Sequence, residues 1–304
     1  MKITLDWLGC ATFRLTLGET VVFLDAYMDR VPAAPSVGMT TADVDRADFV
    51  LVGHSHFDHI AGAEIIAKKT GAKIIGSHES ARVMLDQGIP RQQLLMSQGG
   101  ERHRLAPDVT VRVLPSLHSC TWVASNLAAT EEANGHLGLC EDERAATSRE
   151  AGLATAIGSR ASGDNQHAVE LRNHLRNAVG SPVAGGALAY LIETPAGSIF
   201  WQDTSGCWTG VLAGLKPDVA ILAIAGRGNV DGEPIQGSLA QFASLEARLL
   251  QPKVIIPGHH DNWMPPVTPE GGTDLVAIRA AVAEAVPSAT FAEPGYLSGM
   301  RLLE

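Results

Sequence analysis

A short segment of this 304-residue chain carries three histidines and one aspartate, residue types that are suited to holding metal. His54, His56, Asp58 and His59 lie within six residues. They directly follow an apolar segment, Asp48 to Val52, which predicts a buried strand. Neutral imidazole is the commonest metal ligand in proteins, and a carboxylate adds negative charge. The sequence therefore predicts a metal site in a turn at the end of a strand.

The spacing within this turn indicates ligands for more than one ion. Side chains alternate along extended backbone, so His54 and His56 project in the same direction. Asp58 and His59 follow around the turn, where they can face a second ion. The alternative interpretation is a solvated, histidine-rich loop or a short helix cap, and the apolar strand in front of the turn argues against it.

Composition and charge restrict the classes of function. The chain is 45% hydrophobic and long enough for one large domain or two small ones with a sizeable core. Its net charge of −10 argues against nucleic acid and against an anionic membrane surface as partners. No apolar run is long enough to span a bilayer, and the N-terminus lacks a signal-peptide pattern. We therefore expect a cytoplasmic protein that acts on a small molecule.

The cysteines Cys10, Cys120, Cys140 and Cys207 show none of the paired spacings that are typical of zinc fingers or redox motifs. Free thiols in a reducing cytosol are the simplest interpretation. We expect Cys120 and Cys207 to be small buried residues rather than ligands or nucleophiles.

The rest of the chain predicts alternating short strands and helices. Predicted strands are Lys2 to Leu8, Thr12 to Leu17, Val21 to Leu24, Lys73 to Gly76, Val109 to Leu114, Ala187 to Thr194, Ser198 to Trp201, Val219 to Ile224 and Lys253 to Ile256. Predicted helices are Ile60 to Lys69 with Gly71 ending it, Glu79 to Gln87, a helix capped by Ser238 that runs through Leu250, and Asp274 to Ala285.

The pattern His-x-His-x-Asp-His, from His54 to His59, resembles the signature of the metallo-β-lactamase superfamily. The resemblance implies an α/β fold, an αββα sandwich of the metallo-β-lactamase type, and further ligands in a fixed order. His118 and Asp203 each follow a predicted strand in the order that the resemblance requires. It therefore implies that both are metal ligands.

The closing motif Pro257-Gly258-His259-His260 follows the last of the buried strands and matches the final ligand position of the resemblance. The spacing from the proline favours His259 as the ligand, which leaves His260 free to contact substrate. The opposite assignment is the alternative. The resemblance also implies that Asp25 supports the metal turn from behind, while an aspartate that simply ends a strand is the other interpretation.

The site implied by the resemblance holds two divalent metal ions. The implied ligands are His54, His56 and His118 for the first ion, Asp58, His59 and His259 for the second, and Asp203 as a bridge. Two cations roughly 3.5–4 Å apart can share a hydroxide and orient it for attack. Zinc is favoured, with manganese or iron as alternatives, because the ligands mix imidazole and carboxylate. Asp58, Asp203 and His260 are the predicted catalytic residues.

The opening segment Trp7-Leu8-Gly9-Cys10-Ala11-Thr12-Phe13 and the closing motif are similar to the L-ascorbate-6-phosphate lactonase-like branch of this superfamily. Many relatives that begin this way carry histidine where this chain has Cys10. The resemblance implies a hydrolase of a small ester-like bond, with a lactone or carboxylester favoured. A phosphodiesterase or phosphotriesterase is the alternative, and a metal-binding protein without turnover represents a second class.

Four of the five tryptophans lie within five residues of a predicted ligand. They are Trp122, Trp201, Trp208 and Trp263. An indole brings a large apolar area and one hydrogen-bond donor. The tryptophans therefore predict either an aromatic-walled pocket for a hydrophobic substrate or packing beneath the metal turns.

Residues 124–182 are richer in alanine and in polar residues than the rest of the chain. They separate the two parts of the predicted hydrolase domain, residues 1–123 and 183–304. Two helices are predicted in this segment, Asp142 to Ile157 and Asp164 to Val179, the second capped by Asp164. We predict an inserted helical cap beside the metal site, with an interface in a homo-oligomer as the alternative. The histidines of the segment, His136, His167 and His174, are expected to be solvated or packing residues.

Overall fold

The computed structural model describes residues 1–123, 129–151 and 153–303. The strands are β1 (Ile3–Trp7), β2 (Phe13–Leu17), β3 (Thr20–Leu24), β4 (Phe49–Leu51), β5 (Lys73–Gly76), β6 (Leu94–Met96), β7 (Arg102–Ala106), β8 (Val109–Pro115), β9 (Ala133–Asn134), β10 (Leu188–Thr194), β11 (Gly197–Gln202), β12 (Gly206–Cys207), β13 (Val219–Ala223), β14 (Asn229–Val230), β15 (Glu233–Pro234), β16 (Gln236–Gly237), β17 (Val254–Gly258), β18 (Thr290–Phe291) and β19 (Met300–Leu303). The helices are α1 (Phe57–Ile60), α2 (Ala63–Thr70), α3 (His78–Asp86), α4 (Glu141–Ala151), α5 (Leu153–Ala161), α6 (Gln166–Asn177), α7 (Thr209–Leu212), α8 (Leu239–Leu250) and α9 (Leu275–Ala285).

Most of the described strands belong to two mixed sheets, each of seven strands. The first has the order β19-β1-β2-β3-β4-β5-β6, and the second has the order β18-β17-β13-β11-β10-β8-β7. In each sheet one half is antiparallel and the other half is parallel. Parallel strands need long crossover connections, and helices supply them on the outer faces.

The inner faces of the two sheets pack together into the main core. Alternating side chains such as Leu5, Phe13 and Leu15 point inward from the first sheet, and Tyr190 and Trp201 point inward from the second. Tyr190 and Trp201 stack with ring centroids 5.5 Å apart. Fully burying one such large side chain contributes about 1.5–3 kcal/mol, so this face-to-face contact is a main source of stability.

Helices cover the outer face of each sheet. Apolar residues of α2 and α3 pack on the first sheet, and those of α8 and α9 pack on the second. The layers are therefore helix, sheet, sheet, helix, and the predicted αββα fold is confirmed. The predicted start of α8 is also correct, because the Ser238 side chain accepts a hydrogen bond from the Gln241 amide.

The predicted helix from Ile60 to Lys69 is wrong in one respect, because the structure has two helices there, α1 and α2. They are separated at Gly62, which has φ +97°. A Cβ atom at this position would lie 2.6 Å from the carbonyl oxygen of Ala26. Helix α1 ends at Ala61, where the backbone is extended, and the close backbone approach demands glycine at the next position, the left-handed N-cap of α2.

The segment predicted to be a two-helix insertion contains three described helices, α4, α5 and α6. Asn165 caps α6 in place of the predicted Asp164, and its side chain accepts a hydrogen bond of 3.0 Å from the Ala168 amide. The buried face of α6, with Leu171, packs against Tyr27 and Trp263. Residues 124–128 and 152 of the predicted insertion lie outside the described residues. In the described part of the chain, no helix combines the length and the apolar character needed to cross a membrane.

Candidate metal centre

The turn after β4 is held rigidly by hydrogen bonds to distant segments. The Gly53 amide donates to Asp25 Oδ1 at 2.9 Å, and the Gly53 carbonyl accepts from the Leu188 amide at 2.8 Å. A Cβ atom at position 53 would overlap the Asp203 carboxylate. Glycine is thus required where the turn crosses under this carboxylate, and the following histidines are positioned by a fixed backbone.

The first three predicted ligands form one cluster. His54, His56 and His118 each offer a ligand atom, and these atoms lie within 4.8 Å of one another. His54 Nε2 is 3.0 Å from His56 Nδ1. His54 is fully buried, whereas His56 and His118 are partly exposed, so the cluster is open on one side.

A second cluster lies next to the first. Asp58 Oδ2 is 3.4 Å from His59 Nε2 and 3.5 Å from His259 Nε2. The two imidazole nitrogens, His59 Nε2 and His259 Nε2, are 3.3 Å apart. Cys10 belongs to the same cluster, in which the ligand atoms lie within 4.8 Å of one another.

Asp203 lies between the two clusters. Its Oδ2 atom contacts His54 Nδ1 at 2.6 Å and His59 Nδ1 at 3.2 Å. Its Oδ1 atom is buried and has no hydrogen-bond partner. One oxygen of this carboxylate therefore links a histidine of each cluster, and the other is free to accept a cation.

Hydrogen bonds on the far side of the rings set the histidine tautomers. Asp25 Oδ2 contacts His59 Nδ1 at 2.7 Å, and the Ser119 carbonyl accepts from His118 Nδ1 at 2.9 Å. Asp203 plays the same part for His54 Nδ1. Each contact keeps the proton on Nδ1 and leaves the Nε2 lone pair facing the cluster, which is the arrangement typical of metal-ligating histidines.

The electrostatics favour neutral histidines in the first cluster and an ionised Asp58 in the second. Burial lowers the pKa of His54 and of His118 well below the ordinary value. Burial also raises the pKa of Asp25 to about 7 and that of Asp203 to about 6. Although burial opposes it, His59 holds the pKa of Asp58 well below its ordinary value.

The donor set fits divalent cations. Three carboxylates, those of Asp25, Asp58 and Asp203, are grouped here, and among the described residues their ion pairs are all with histidines. No lysine or arginine of the described chain neutralises them. Buried carboxylates are costly unless a positive charge compensates them. Although burial opposes it, Asp58 raises the pKa of His59 well above its ordinary value, so His59 supplies this charge when no cation is bound. A metal ion held by neutral imidazoles can replace it.

A cavity of about 370 Å³ opens onto the clusters. Polar lining residues at the clusters include His56, Asp58, His118 and His259. The opposite walls are mainly apolar, and they include Phe57, Trp263, Met264 and Val267. Ser148 of α4 and Ile157 of α5 also line the cavity. The site therefore combines a metal-binding floor with an apolar chamber of the size of a small organic molecule.

The structure brings one of the four predicted pocket tryptophans, Trp263, to this cavity. Trp201 is a core residue instead, with no exposed surface, because β11 points it between the sheets. Trp208 is 38% exposed at the start of α7. Trp122 packs beneath the Arg144 guanidinium, 4.6 Å from the ring centroid. Proximity in sequence to a ligand did not decide which indole faces the cavity.

The structure does not bring His260, the predicted substrate contact, to the cavity. His260 stacks on Trp7 with ring centroids 4.5 Å apart and is not among the cavity-lining residues. Burial lowers its pKa to about 4. His259 is the residue that turns toward the clusters, in a left-handed backbone conformation with φ +59°.

Two residues near the second cluster were not singled out from the sequence. Asp261 accepts hydrogen bonds from the Cys10 amide at 3.0 Å and from the Tyr296 hydroxyl at 2.7 Å, and it pairs with Arg30. The available signal in the sequence was that Asp261 directly follows the closing motif. Cys10 was noticed only as a departure from the resemblance.

Comparisons with known proteins agree with this fold. A family described as the β-lactamase superfamily domain matches residues 20–142. A UPF0173 metal-dependent hydrolase of Anaeromyxobacter dehalogenans is 32% identical over 140 residues, which are 45% of this chain and 48% of that protein. One from Koribacter versatilis is 35% identical over 121 residues, 40% of this chain and 48% of the relative. The chain thus spans about half the length of the curated relatives it matches.

Solved structures share the fold over the whole chain. Igni18, a metallo hydrolase of Ignicoccus hospitalis, has a TM-score of 0.60 at 17% identity and covers 100% of this chain and 99% of its own. YhfI of Bacillus subtilis, a metallo-β-lactamase fold protein, has a TM-score of 0.56 at 12% identity, with coverage of 100% and 99%. The chain therefore has the metallo-β-lactamase fold, and its residues 20–142 match the β-lactamase superfamily domain. Parts of the chain that amount to 45% and 40% of its length are similar to these two UPF0173 metal-dependent hydrolases.

Proposed function

We propose that the protein is a hydrolase with two divalent metal ions that cleaves a small, neutral ester-like bond, either a lactone or a carboxylester. The observation that carries the proposal is the pair of adjacent ligand clusters at the floor of an apolar cavity. The names of the relatives, metal-dependent hydrolases, support the same class of reaction.

The proposed ligands follow the two clusters and the carboxylate between them. They are His54, His56 and His118 for one ion, Asp58, His59 and His259 for the other, and Asp203 for both. Divalent cations supply Lewis acidity, which lowers the pKa of water and polarises the oxygen of the scissile group. The mixture of nitrogen and carboxylate ligands suits zinc, and manganese or iron are the alternatives.

The surrounding residues orient the ligands and exclude bulk water. Asp25 holds the His59 ring so that its Nε2 atom faces the cluster. Asp58 lines the cavity as an ionised carboxylate, so its role is to bind a cation rather than to donate a proton. Phe57 and Trp263 bound the chamber beside these polar groups, and their apolar surface strengthens electrostatic interactions within the site.

Apart from the proposed metal ions, the walls of the cavity favour an uncharged substrate. No lysine or arginine belongs to the described residues that line it. A substrate with a phosphate group, such as the sugar phosphate named by the lactonase branch, would have no cationic side chain on these walls. Lactones and carboxylesters carry no charge at the bond that breaks, and a neutral phosphotriester is the alternative that the same walls accept.

We propose residues 124–182 as a cap that helps to select the substrate. Ser148 of α4, Ile157 of α5 and the segment residues Ser181 and Pro182 line the cavity. Helix α6 holds the cap on the domain, where the His174 ring meets the Tyr27 hydroxyl at 2.8 Å. An interface between copies of the chain is the competing role for the same segment.

The test of the proposed function combines metal analysis with a substrate panel. Purified protein is analysed by plasma mass spectrometry and assayed with chromogenic lactones, arylesters, phosphodiesters and phosphotriesters. We expect about two metals per chain and turnover of lactones or esters that is lost on chelation and restored by zinc. Asp58→Asn should lose both metal and turnover, whereas Asp108→Asn, at an exposed turn, should retain both.

Two outcomes would contradict the proposal. A protein that binds no stoichiometric metal after reconstitution would not have the assigned ligands. A protein that binds two metals but turns over phosphodiesters alone would have the centre without the proposed substrate class.

A further inference from the structure

Cys10 lies beside the second cluster, although its sequence context did not predict a ligand there. Its sulfur belongs with the ligand atoms of Asp58, His59 and His259, all within 4.8 Å of one another. The thiol donates to the Asp58 carbonyl at 3.5 Å. The structure thus places a soft donor beside two imidazoles and a carboxylate, enough for a four-coordinate ion.

The backbone fixes Cys10 in this position. The Cys10 amide donates to Asp261 Oδ1 at 3.0 Å, and its carbonyl accepts from the Trp7 indole at 3.0 Å and from the His259 amide at 2.7 Å. The hydrogen bond to His259 directly joins the two proposed ligands. Cys10 is also in the left-handed region, with φ +49°. Several hydrogen bonds, including those with His259 and Asp261 at the closing motif, therefore fix its position beside the cluster.

Two further observations at this cluster point to a ligand. The His259 side chain is buried, its Nδ1 atom has no hydrogen-bond partner, and its Nε2 atom faces His59 Nε2 at 3.3 Å. Two imidazole nitrogens and a carboxylate oxygen that lie this close together are expected around a bound cation. The cluster that Cys10 belongs to is therefore built for an ion independently of its sulfur.

We propose that Cys10 is a thiolate ligand of the second metal ion, which adds a sulfur to the imidazole nitrogens of His59 and His259, the Asp58 carboxylate and the shared Asp203 carboxylate. The inference rests on the proposed two-metal function. Binding releases the thiol proton to solvent as the sulfur lone pair bonds to the metal. Cys10 does not line the cavity, so it binds from the interior side and is not placed to attack a substrate.

The competing interpretation is a small buried residue that only packs. Cys10 does contact Tyr27 and Trp263 in an apolar cluster. Burial and then the carboxylate of Asp58 raise the pKa of the thiol, so without a cation it stays protonated. A coordinated metal reverses that preference, because coordination deprotonates a thiol outright. The two roles therefore differ in whether a metal–sulfur bond forms.

Metal selectivity follows from the sulfur. Thiolate favours zinc and cobalt over manganese and magnesium, whose preferred ligands are oxygen. We expect Cys10→Ser to weaken zinc binding at the second site by about tenfold or more, since loss of even an outer-shell partner costs 10- to 100-fold. Manganese binding should change less, because manganese gains little from sulfur.

The experiment uses Co²⁺ as the probe, added to metal-free full-length protein and followed by absorption. All proteins carry Cys140→Ser, since the exposed Cys140 lies with Asp142 and Glu143 and is another potential binding group. Visible d–d bands report cobalt in both sites. A near-ultraviolet band from sulfur-to-cobalt charge transfer reports a metal–thiolate bond. We expect both bands, and we expect Cys10→Ser to lose the second while it keeps the first.

Matched controls and outcomes separate the two proposals. Cys207→Ser removes another buried thiol and should leave the charge-transfer band unchanged. A charge-transfer band that survives Cys10→Ser, or two bound cobalt ions without this band in the parent protein, would overturn the ligand role and leave the two-metal function standing. Absence of the d–d bands would instead overturn the two-metal function.

A second measurement needs no substitution at position 10, in case Cys10→Ser does not fold. X-ray absorption of the zinc-loaded Cys140→Ser protein should show sulfur at about 2.3 Å from zinc, at one sulfur for every two zinc ions. A zinc shell of nitrogen and oxygen alone would refute the thiolate.

Discussion

Glu246 on α8 is the subject of the most quantitative prediction. Its side chain has no exposed surface, and Oε1 accepts a hydrogen bond of 2.5 Å from Gln202 Nε2. Glu246 Oε2 and Gln202 Oε1 are both buried without a partner. Burial raises the pKa of Glu246 from 4.5 to about 8, so the carboxyl group is neutral in the folded protein at pH 7. Glu246→Gln replaces it with an amide that is neutral at every pH.

The magnitude follows from linkage between protonation and folding. The folded protein holds the Glu246 proton up to a pKa of about 8, whereas the unfolded chain releases it near 4.5. The contribution of Glu246 to the free energy of unfolding is therefore complete below pH 4.5 and falls as pH rises toward 8. At about 1.36 kcal/mol per pH unit, the loss is about 3 kcal/mol at pH 7 and about 5 kcal/mol above pH 8. The Glu246→Gln variant should not lose this stability at high pH, because its amide does not ionise.

The assay is urea unfolding of both proteins, loaded with metal in the same way, at pH values from 5 to 9. We expect the free energy of unfolding of Glu246→Gln, relative to the parent, to rise by about 1.4 kcal/mol per pH unit up to pH 8 and then to level off. All other groups titrate in both proteins, so their contributions cancel in the difference between the two free energies of unfolding. Glu284→Gln, at an exposed position on α9, should show no such slope. A flat difference for Glu246→Gln would refute the reasoning.

Three further substitutions test the site. Asp25→Asn should lower zinc affinity about 10- to 100-fold in chelator competition, because the amide no longer holds His59 in the ligating tautomer; unchanged affinity would contradict that role. Gly53→Ala should lose stoichiometric metal by mass spectrometry, because its Cβ overlaps Asp203; full occupancy would contradict the close approach. Trp263→Ala should raise KM for an arylester more than it lowers kcat, and a fall in kcat alone would argue against a binding wall.

Much of the fold could be predicted from the sequence because its strands are short, strongly apolar and separated by turn residues. The predicted strand from Lys73 to Gly76 coincides with β5, and Asp274, the first residue of the last predicted helix, is the N-cap of α9. These features depend on neighbours within a few residues. Strands β6 and β7 were not predicted, because Leu94–Met96 is very short and Arg102–Ala106 is largely polar at the edge of its sheet.

Helix boundaries were less predictable where distant backbone decides them. Helix α1 ends at Ala61, and α2 begins after Gly62, which the Ala26 carbonyl approaches from another segment. Asn165 rather than Asp164 caps α6, and the two residue types are equally suited to capping. Composition therefore locates such a helix but leaves its first residue open.

The sequence by itself determined which residue types arrive at the ends of the buried strands, because strand patterns and ligand spacing are local properties. Only the tertiary structure decided which side chains meet there. His259, and not His260, faces the cluster because its amide bonds to the carbonyl of Cys10, which fixes a left-handed turn. That same contact, between residues at opposite ends of the chain, brings the Cys10 sulfur to the proposed metal. Pairing across such a distance depends on the packing of two sheets, and no local pattern encodes it.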